Sequence, residues 1–193
     1  RSGCDWSSDV CSSDLVMRFF NMKKCDAQEF NKDIMQGLLS YPTQSNQVMM
    51  NLIGSHDTFR YLESANGDIN RLKLAVLFQM TFVGVTHIWY GDEIGMMGGH
   101  DPDCRRPFDW KYIYDENKIN LREYYKKLIE IRKNNSCLRS GSFNKIIANE
   151  MVYGYSRSDD HNSISVVINN DDVSEVVKIR SEERRVGKEC RSR

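Results

Sequence analysis

The sequence predicts an α/β region followed by the start of an antiparallel β region. Three observations carry this expectation. Apolar residues at helical spacing alternate with short apolar runs between residues 26 and 135, the pattern changes to short β-rich runs after Ser142, and polar turn clusters separate those runs. Helix, strand, helix, strand, helix in that order fits the tail of a doubly wound sheet or of a (β/α)8 barrel, and periodicity alone leaves both open.

Asp26 with Glu29 three positions on has the form of a capping box, and Phe30, Ile34 and Leu38 follow at helical spacing until Pro42. Val48 to Ile53, closed by Gly54, reads as a buried parallel strand, and polar residues 55–60 follow at once. The next helix starts near Asp68. Its Leu72, Ala75, Val76 and Gln79 share a face that Leu74, Leu77 and Phe78 widen, and Gly84 ends it. A second short strand, about His87 to Tyr90, opens into a long loop holding Gly91, Gly95, Gly98, Gly99, Pro102 and Pro107, and loops of that length are usually functional or disordered. Asn120 with Glu123 caps a third helix, with Leu121, Tyr124, Leu128 and Ile131 on one face before Asn134 and Asn135. Four β-rich runs come last: Phe143–Ile147, Met151–Tyr155, Ile164–Ile168 and Val176–Ile179. A boundary therefore falls near residues 139–142.

Composition excludes several classes of function. Lys plus Arg and Asp plus Glu number 27 each in 193 residues, so no charge excess argues for a nucleic-acid or membrane partner. No apolar run approaches the roughly 20 residues of a transmembrane helix. Neither GxGxxG nor GxxxxGK[ST] occurs, which removes the usual support for nucleotide phosphate binding. The ends differ from the middle. Residues 1–15 hold five serines and three aspartates without any period, and 180–193 include the charge run SEERRVGKECRSR. Both segments resemble translated sequencing-adapter sequence and are set aside as artefact-like flanks before any fold argument. Between them only Cys25, Cys104 and Cys137 remain, scattered, with no disulfide framework and no paired metal-ligand spacing among cysteines or the four histidines. The expectation is a reduced, cytoplasmic compartment and no metal or cofactor.

Two polar segments directly follow strands: Ser55-His56-Asp57-Thr58 and Gly91-Asp92-Glu93, the latter running into the glycine loop. In a parallel barrel both would lie at the carboxyl-terminal face, where active sites are built. The plain readings are that His56 and Asp57 cap a turn, and that Asp92 and Glu93 cap a turn or pair with Arg105 or Arg106. Trp89, Tyr90 and Trp110 could stack on a sugar ring, but their setting reads as core. Met49, Met50, Met80, Met96 and Met97 read as packing.

Three stretches then carry a resemblance: residues 51–60 (NLIGSHDTFR), 88–96 (IWYGDEIGM) and 98–110 (GGHDPDCRRPFDW). In this order and separation they resemble the α-amylase family of glycoside hydrolases, specifically the neopullulanase, cyclomaltodextrinase and maltogenic amylase group. The likeness covers nearly all of Val16–Ile179. One departure is the segment Gly84-Val85-Thr86-His87, which lacks the proline that family members usually carry before the eighth strand; that bears on local loop rigidity.

The resemblance implies that residues 16–140 are the last part of a (β/α)8 TIM barrel and 141–179 the first strands of a C-terminal antiparallel β-sandwich. It implies a fragment of a retaining α-glucan hydrolase acting on α-1,4 bonds, with α-1,6 bonds as a second candidate, in cyclodextrins, pullulan or starch oligosaccharides. The nucleophilic Asp and the acid/base Glu would lie on the fourth and fifth strands, upstream of this chain, so the fragment itself is expected to be inactive. By the same resemblance Asp57 is the transition-state stabiliser, His56 the adjacent sugar-binding residue, and Asp101 and Arg105 contact the neighbouring sugar. Glu93 is read as structural. Calcium, used by some relatives, finds no identifiable cage in the sequence, and a homodimeric parent is a further expectation. The rival from another class is a non-catalytic, amylase-like carbohydrate-binding or interaction protein, because fold alone does not decide function.

Overall fold

The computed structural model describes residues 13–177. The chain opens with α1 (Ser13–Val16), a π-helical turn over Met17–Asn21, α2 (Ala27–Leu39) and α3 (Thr43–Val48). Next come β1 (Met50–Leu52), α4 (Tyr61–Ser64), α5 (Ile69–Thr81) and β2 (Val85–His87). Three 3-10 turns at Asp92–Ile94, Asp103–Arg105 and Trp110–Tyr114 interrupt the glycine loop. After α6 (Glu116–Asn134) and α7 (Ser136–Ser140), the chain ends in β3 (Ser142–Asn149), β4 (Val152–Ser158) and β5 (Ser163–Asn169). Most of the two artefact-like flanks lies outside the described residues. Of the first flank, residues 13–15 lie within α1, and Leu15 packs against the core.

The cap expected at Asp26 forms, and the helix expected to start near Asp68 is capped by that residue. Asp26 Oδ1 accepts the Glu29 N–H at 2.8 Å, and Asp68 Oδ1 accepts the N–H groups of Asn70 and Arg71. The third helix starts earlier than its sequence suggests. Asp115, rather than Asn120, is its cap, with Oδ1 accepting from Asn117 and Lys118. Its inward face is Leu121, Tyr125 and Leu128, while Ile131 is exposed and Tyr124 only partly covered. Leu121, Tyr125 and Leu128 stand at i, i+4 and i+7 and so share one face, while Tyr124 and Ile131 flank it.

β1 and β2 pair in parallel, Met50 opposite Val85 and Leu52 opposite His87. The second strand thus sits two residues before its predicted start and ends at His87, because the apolar Trp89 and Tyr90 mark the exit from the strand and not its body. β3, β4 and β5 form an antiparallel sheet in sequence order, with a register shift between Lys145 and Ile147. Residues 176 and 177 are not in a strand, and the rest of that expected run lies outside the described residues.

α5 is buried on more than one side, since Leu72, Ala75, Val76, Phe78, Gln79, Met80 and Thr81 are all covered. One side faces the parallel pair: Gln79 Nε2 donates to the carbonyls of Asn51 and His87 at 3.0 and 2.8 Å. The other side meets β4, where Phe78 lies edge-on to Tyr155 at 5.8 Å between ring centres. Phe30 completes an aromatic cluster by stacking on Phe19 at 4.4 Å and meeting Phe78 and Tyr153 at 5.4 and 5.2 Å. Arg157 of β4, fully buried, donates to the carbonyls of Thr81, Gly141 and Ser142. α/β part and antiparallel sheet therefore share one core.

No helix among the described residues is long and apolar enough to cross a membrane. β1 and β2 each have one strand partner among those residues, and Met50 and Val85 are 46% and 50% exposed. Unpaired edges with apolar side chains template association. The isolated chain is expected to self-associate with rising concentration in sedimentation velocity, and Val85→Lys to reduce it. A sharp, cooperative unfolding transition from a monomer would contradict this.

Candidate active site

Because β1 and β2 run parallel, the chain leaves both strands at the same edge of the sheet. After β1 come buried Ile53 and Gly54, then a tight turn. Ser55 N–H and Oγ meet Thr58 Oγ1 at 3.1 and 3.2 Å, and the Asp57 N–H donates to Ser55 Oγ at 3.2 Å. This turn satisfies its own backbone and turns its side chains outward: those of His56 and Asp57 are 55% and 68% exposed, with His56 Nε2 3.0 Å from Asp57 Oδ2.

The glycine loop supplies the facing wall. Gly99 N–H donates to Asp103 Oδ2 at 2.7 Å, and Arg106 binds the Asp103 carboxylate through Nε and Nη2 at 2.6 and 2.9 Å. These bonds brace the Asp103–Arg105 turn, from which Arg105 reaches across. Its Nη2 lies 3.2 Å from Asp57 Oδ1, and its Nε lies 2.8 Å from Asp101 Oδ1 and 3.0 Å from the His56 carbonyl oxygen. The structure brings all four residues selected from sequence, His56, Asp57, Asp101 and Arg105, into one exposed cluster. Trp89 borders it, with its ring centre 5.9 Å from that of His56. Two carboxylates, a guanidinium and an imidazole beside an aromatic face are suited to a neutral, hydroxyl-rich ligand, to which they offer both donors and acceptors.

Asp92 corrects its sequence reading. It pairs with neither Arg105 nor Arg106, which hold Asp57, Asp101 and Asp103. It lies 4% exposed with Oδ1 3.1 Å from Nη1 of Arg60, which is wholly buried. A carboxylate at that depth requires a buried partner, and an exposed arginine cannot provide one. Burial raises the Asp92 carboxyl above its ordinary value, while the Arg60 guanidinium pulls the other way. Glu93 caps instead, accepting the Gly91 N–H at 2.7 Å. Gly91 has φ +89°, and a Cβ there would overlap the Met96 side chain, so glycine is required. Trp110 is 77% exposed rather than core, resting edge-on against Phe108, and Met50 and Met97 are likewise exposed. Met80 and Met96 are packed as expected.

With this geometry in place, comparison with known proteins is decisive. The family described as alpha amylase, catalytic domain, matches residues 10–121. The chain belongs to the α-amylase family. It is 46% identical over 164 residues to a cyclomaltodextrinase of Thermoanaerobacter pseudethanolicus, covering 84% of this chain and 28% of that protein. It is 40% identical over 157 residues to neopullulanase 2 of Thermoactinomyces vulgaris, covering 80% and 26%. A solved cyclomaltodextrinase structure superposes with a TM-score of 0.75 at 40% identity, over 86% of this chain and 28% of that one. The chain therefore spans less than a third of the length of these relatives. Its parallel pair with surrounding helices is the last part of the α-amylase family's (β/α)8 barrel, and its antiparallel sheet begins the β domain that follows.

Two residues at this α-amylase-family site were quoted in the motifs without a role. Arg60 donates to the Tyr90 carbonyl at 2.7 Å as well as to Asp92, and Cys104 Sγ donates to the His56 carbonyl at 3.1 Å. Their opposite charges follow the two strands, but only the parallel pairing seen in the structure couples Arg60 to Asp92. Among the described residues no group of three or more His, Cys, Asp or Glu side chains could hold a metal ion.

The Asp103 turn makes a pH prediction. The Gly99 N–H and the Arg106 guanidinium hold the Asp103 carboxyl below the ordinary value of 3.8. A carboxyl with a depressed folded value contributes stability that is present above 3.8 and lost as the pH falls through the lower, folded value. The Gly99 amide proton shift is expected to titrate with a midpoint below 3.8; a midpoint at or above that value contradicts the brace.

Proposed function

We propose that this chain provides one wall of the active site of a retaining α-glucan hydrolase that cleaves α-1,4 bonds, and α-1,6 bonds as a second activity, in cyclodextrins, pullulan or starch oligosaccharides. The observation that carries the reading is Arg105 joining Asp57 to Asp101 beside His56 at the carboxyl-terminal ends of two parallel strands. That edge is where barrel enzymes place their chemistry. The names of the relatives, cyclomaltodextrinase and neopullulanase, support the substrate class.

Retaining hydrolysis uses two carboxyl groups about 5–5.5 Å apart, one attacking the anomeric carbon and one protonating the leaving oxygen. In this reading both belong to earlier strands, and Asp57 does neither. His56 contacts one Asp57 oxygen and Arg105 the other, and the carboxylate, 68% exposed, keeps lone pairs open to a ligand. Aimed at sugar hydroxyls, those lone pairs make hydrogen bonds that strengthen as the ring flattens toward an oxocarbenium-like transition state. Arg105 and Asp101 hold the next sugar through its hydroxyls. Carboxyl chemistry of this kind needs no cofactor.

The test compares the full-length enzyme with this chain. In the full-length enzyme Asp57→Asn is expected to lower kcat on a cyclodextrin by about 10²–10³-fold, the scale for losing one preorganised transition-state contact, with KM changed little. The 193-residue chain alone is expected to show no turnover. Undiminished kcat in the variant, or Asp57-dependent turnover by the isolated chain, overturns the reading.

A further inference from the structure

We propose that the buried Arg60–Asp92 pair is the positioning device for the loop that carries His56 and Asp57, and that it links this loop to the wall that carries Arg105. The inference rests on Asp57 being the transition-state stabiliser and asks what holds it there.

Asp92 touches both ends of that loop. At the start, Gly54 packs so closely on the carboxylate that an added Cβ would lie 2.8 Å from Asp92 Oδ2. At the end, Asp92 Oδ1 binds Arg60 at 3.1 Å. The five residues between, 55–59, are thus pinned at both shoulders by one carboxylate that follows the neighbouring strand. Arg60 extends the linkage. Its Nη1 donates to the Tyr90 carbonyl at 2.7 Å, its guanidinium lies 4.9 Å from the centre of the Tyr90 ring, and its backbone N–H donates to the Gly98 carbonyl at 3.0 Å. Tyr90 in turn donates its hydroxyl to the Arg106 carbonyl at 2.9 Å, next to Arg105. A connected path therefore runs from the base of Asp57, through Arg60 and Tyr90, to the base of Arg105.

Stability is a poor reason to bury two charges. Desolvation cancels most of the attraction, and apolar residues of similar volume usually hold a core as well or better. An apolar pair has no direction. Arg60 Nη1 instead aims one hydrogen bond at Asp92 and one at the Tyr90 carbonyl, and such directed bonds fix angles as well as distances, the support an active site held within about 0.5 Å of its productive geometry needs. The exposed contacts Asp57–Arg105 and Asp57–His56 would orient the carboxylate only weakly without a rigid base, because exposed ion pairs contribute little.

The test is a double-mutant cycle in the full-length enzyme on a cyclodextrin, with Tm measured for each variant. Asp92→Asn keeps the shape and removes the charge. It is expected to lower kcat by about 10–100-fold, the scale of a small misplacement, with KM within about threefold. In an Asp57→Asn background the same change is expected to alter kcat by less than about twofold, because the residue it positions is gone. Tyr90→Phe, which keeps the ring and removes only the hydroxyl bond to Arg106, is expected to show a smaller kcat loss with the same non-additivity, and it serves where Asp92→Asn does not fold. Losses that add in the Asp57→Asn background, or a lowered Tm with kcat unchanged in the folded enzyme, overturn the positioning role. Undiminished kcat for Asp57→Asn alone instead overturns the reading of Asp57, a separate and recognisable result.

Discussion

The parallel pairing of β1 with β2 is the constraint on which the site depends. Two parallel strands deliver their following loops to one edge, whereas an antiparallel pair would send them to opposite edges. The register is held from the helical side. The amide of Gln79 bonds a carbonyl on β1 and one at the end of β2, while Asn51, wholly buried, donates to the Val83 carbonyl at 2.6 Å just before β2 begins. A slip of one residue would turn Asn51 away from that carbonyl and reverse every side chain of a three-residue strand. With the register fixed, loops that are 30 residues or more apart in sequence meet, and Arg105 can span them.

The layering of charge in the site follows from that meeting. Exposed groups form the upper layer, where Asp57, Asp101, Arg105 and His56 retain contact with solvent and can exchange partners with an arriving hydroxyl. Arg60 and Asp92 form the lower layer, where both side chains are buried away from solvent and bond each other. The same pair of residue types thus acts in two ways, and depth alone separates them.

Much of this was legible in the sequence, unevenly. Asp26 and Asp68 announced their helices because a capping side chain acts on its own neighbours, within three residues. Asp115 did not, since Asn120 and Glu123 imitate a capping box inside a helix that had already begun. The end of β2 was misplaced because Trp89 and Tyr90 have the composition of a strand but sit where the chain turns away. His56, Asp57, Asp101 and Arg105 could be picked out because their spacing matches a family pattern. Arg60 and Asp92 could not be paired, because periodicity reports which face a residue occupies and never which distant residue shares its pocket. Phe78 and Tyr155 were each readable as apolar positions, yet nothing local shows that a helix and a later hairpin share one aromatic core.

The carboxyl end of α5 has a consequence of its own. Its last carbonyls find no partners within the helix, and arginines from two later segments reach this end: Arg132 of α6 bonds Met80 and, just past the helix, Phe82 and Gly84, and Arg157 of β4 bonds Thr81. The end of the helix that sets the strand register is therefore finished by residues 48 to 76 positions later in the chain. The antiparallel sheet thus supplies part of the hydrogen bonding at the end of α5, and a cut in the chain near residue 141 would take from the Thr81 carbonyl its Arg157 donor.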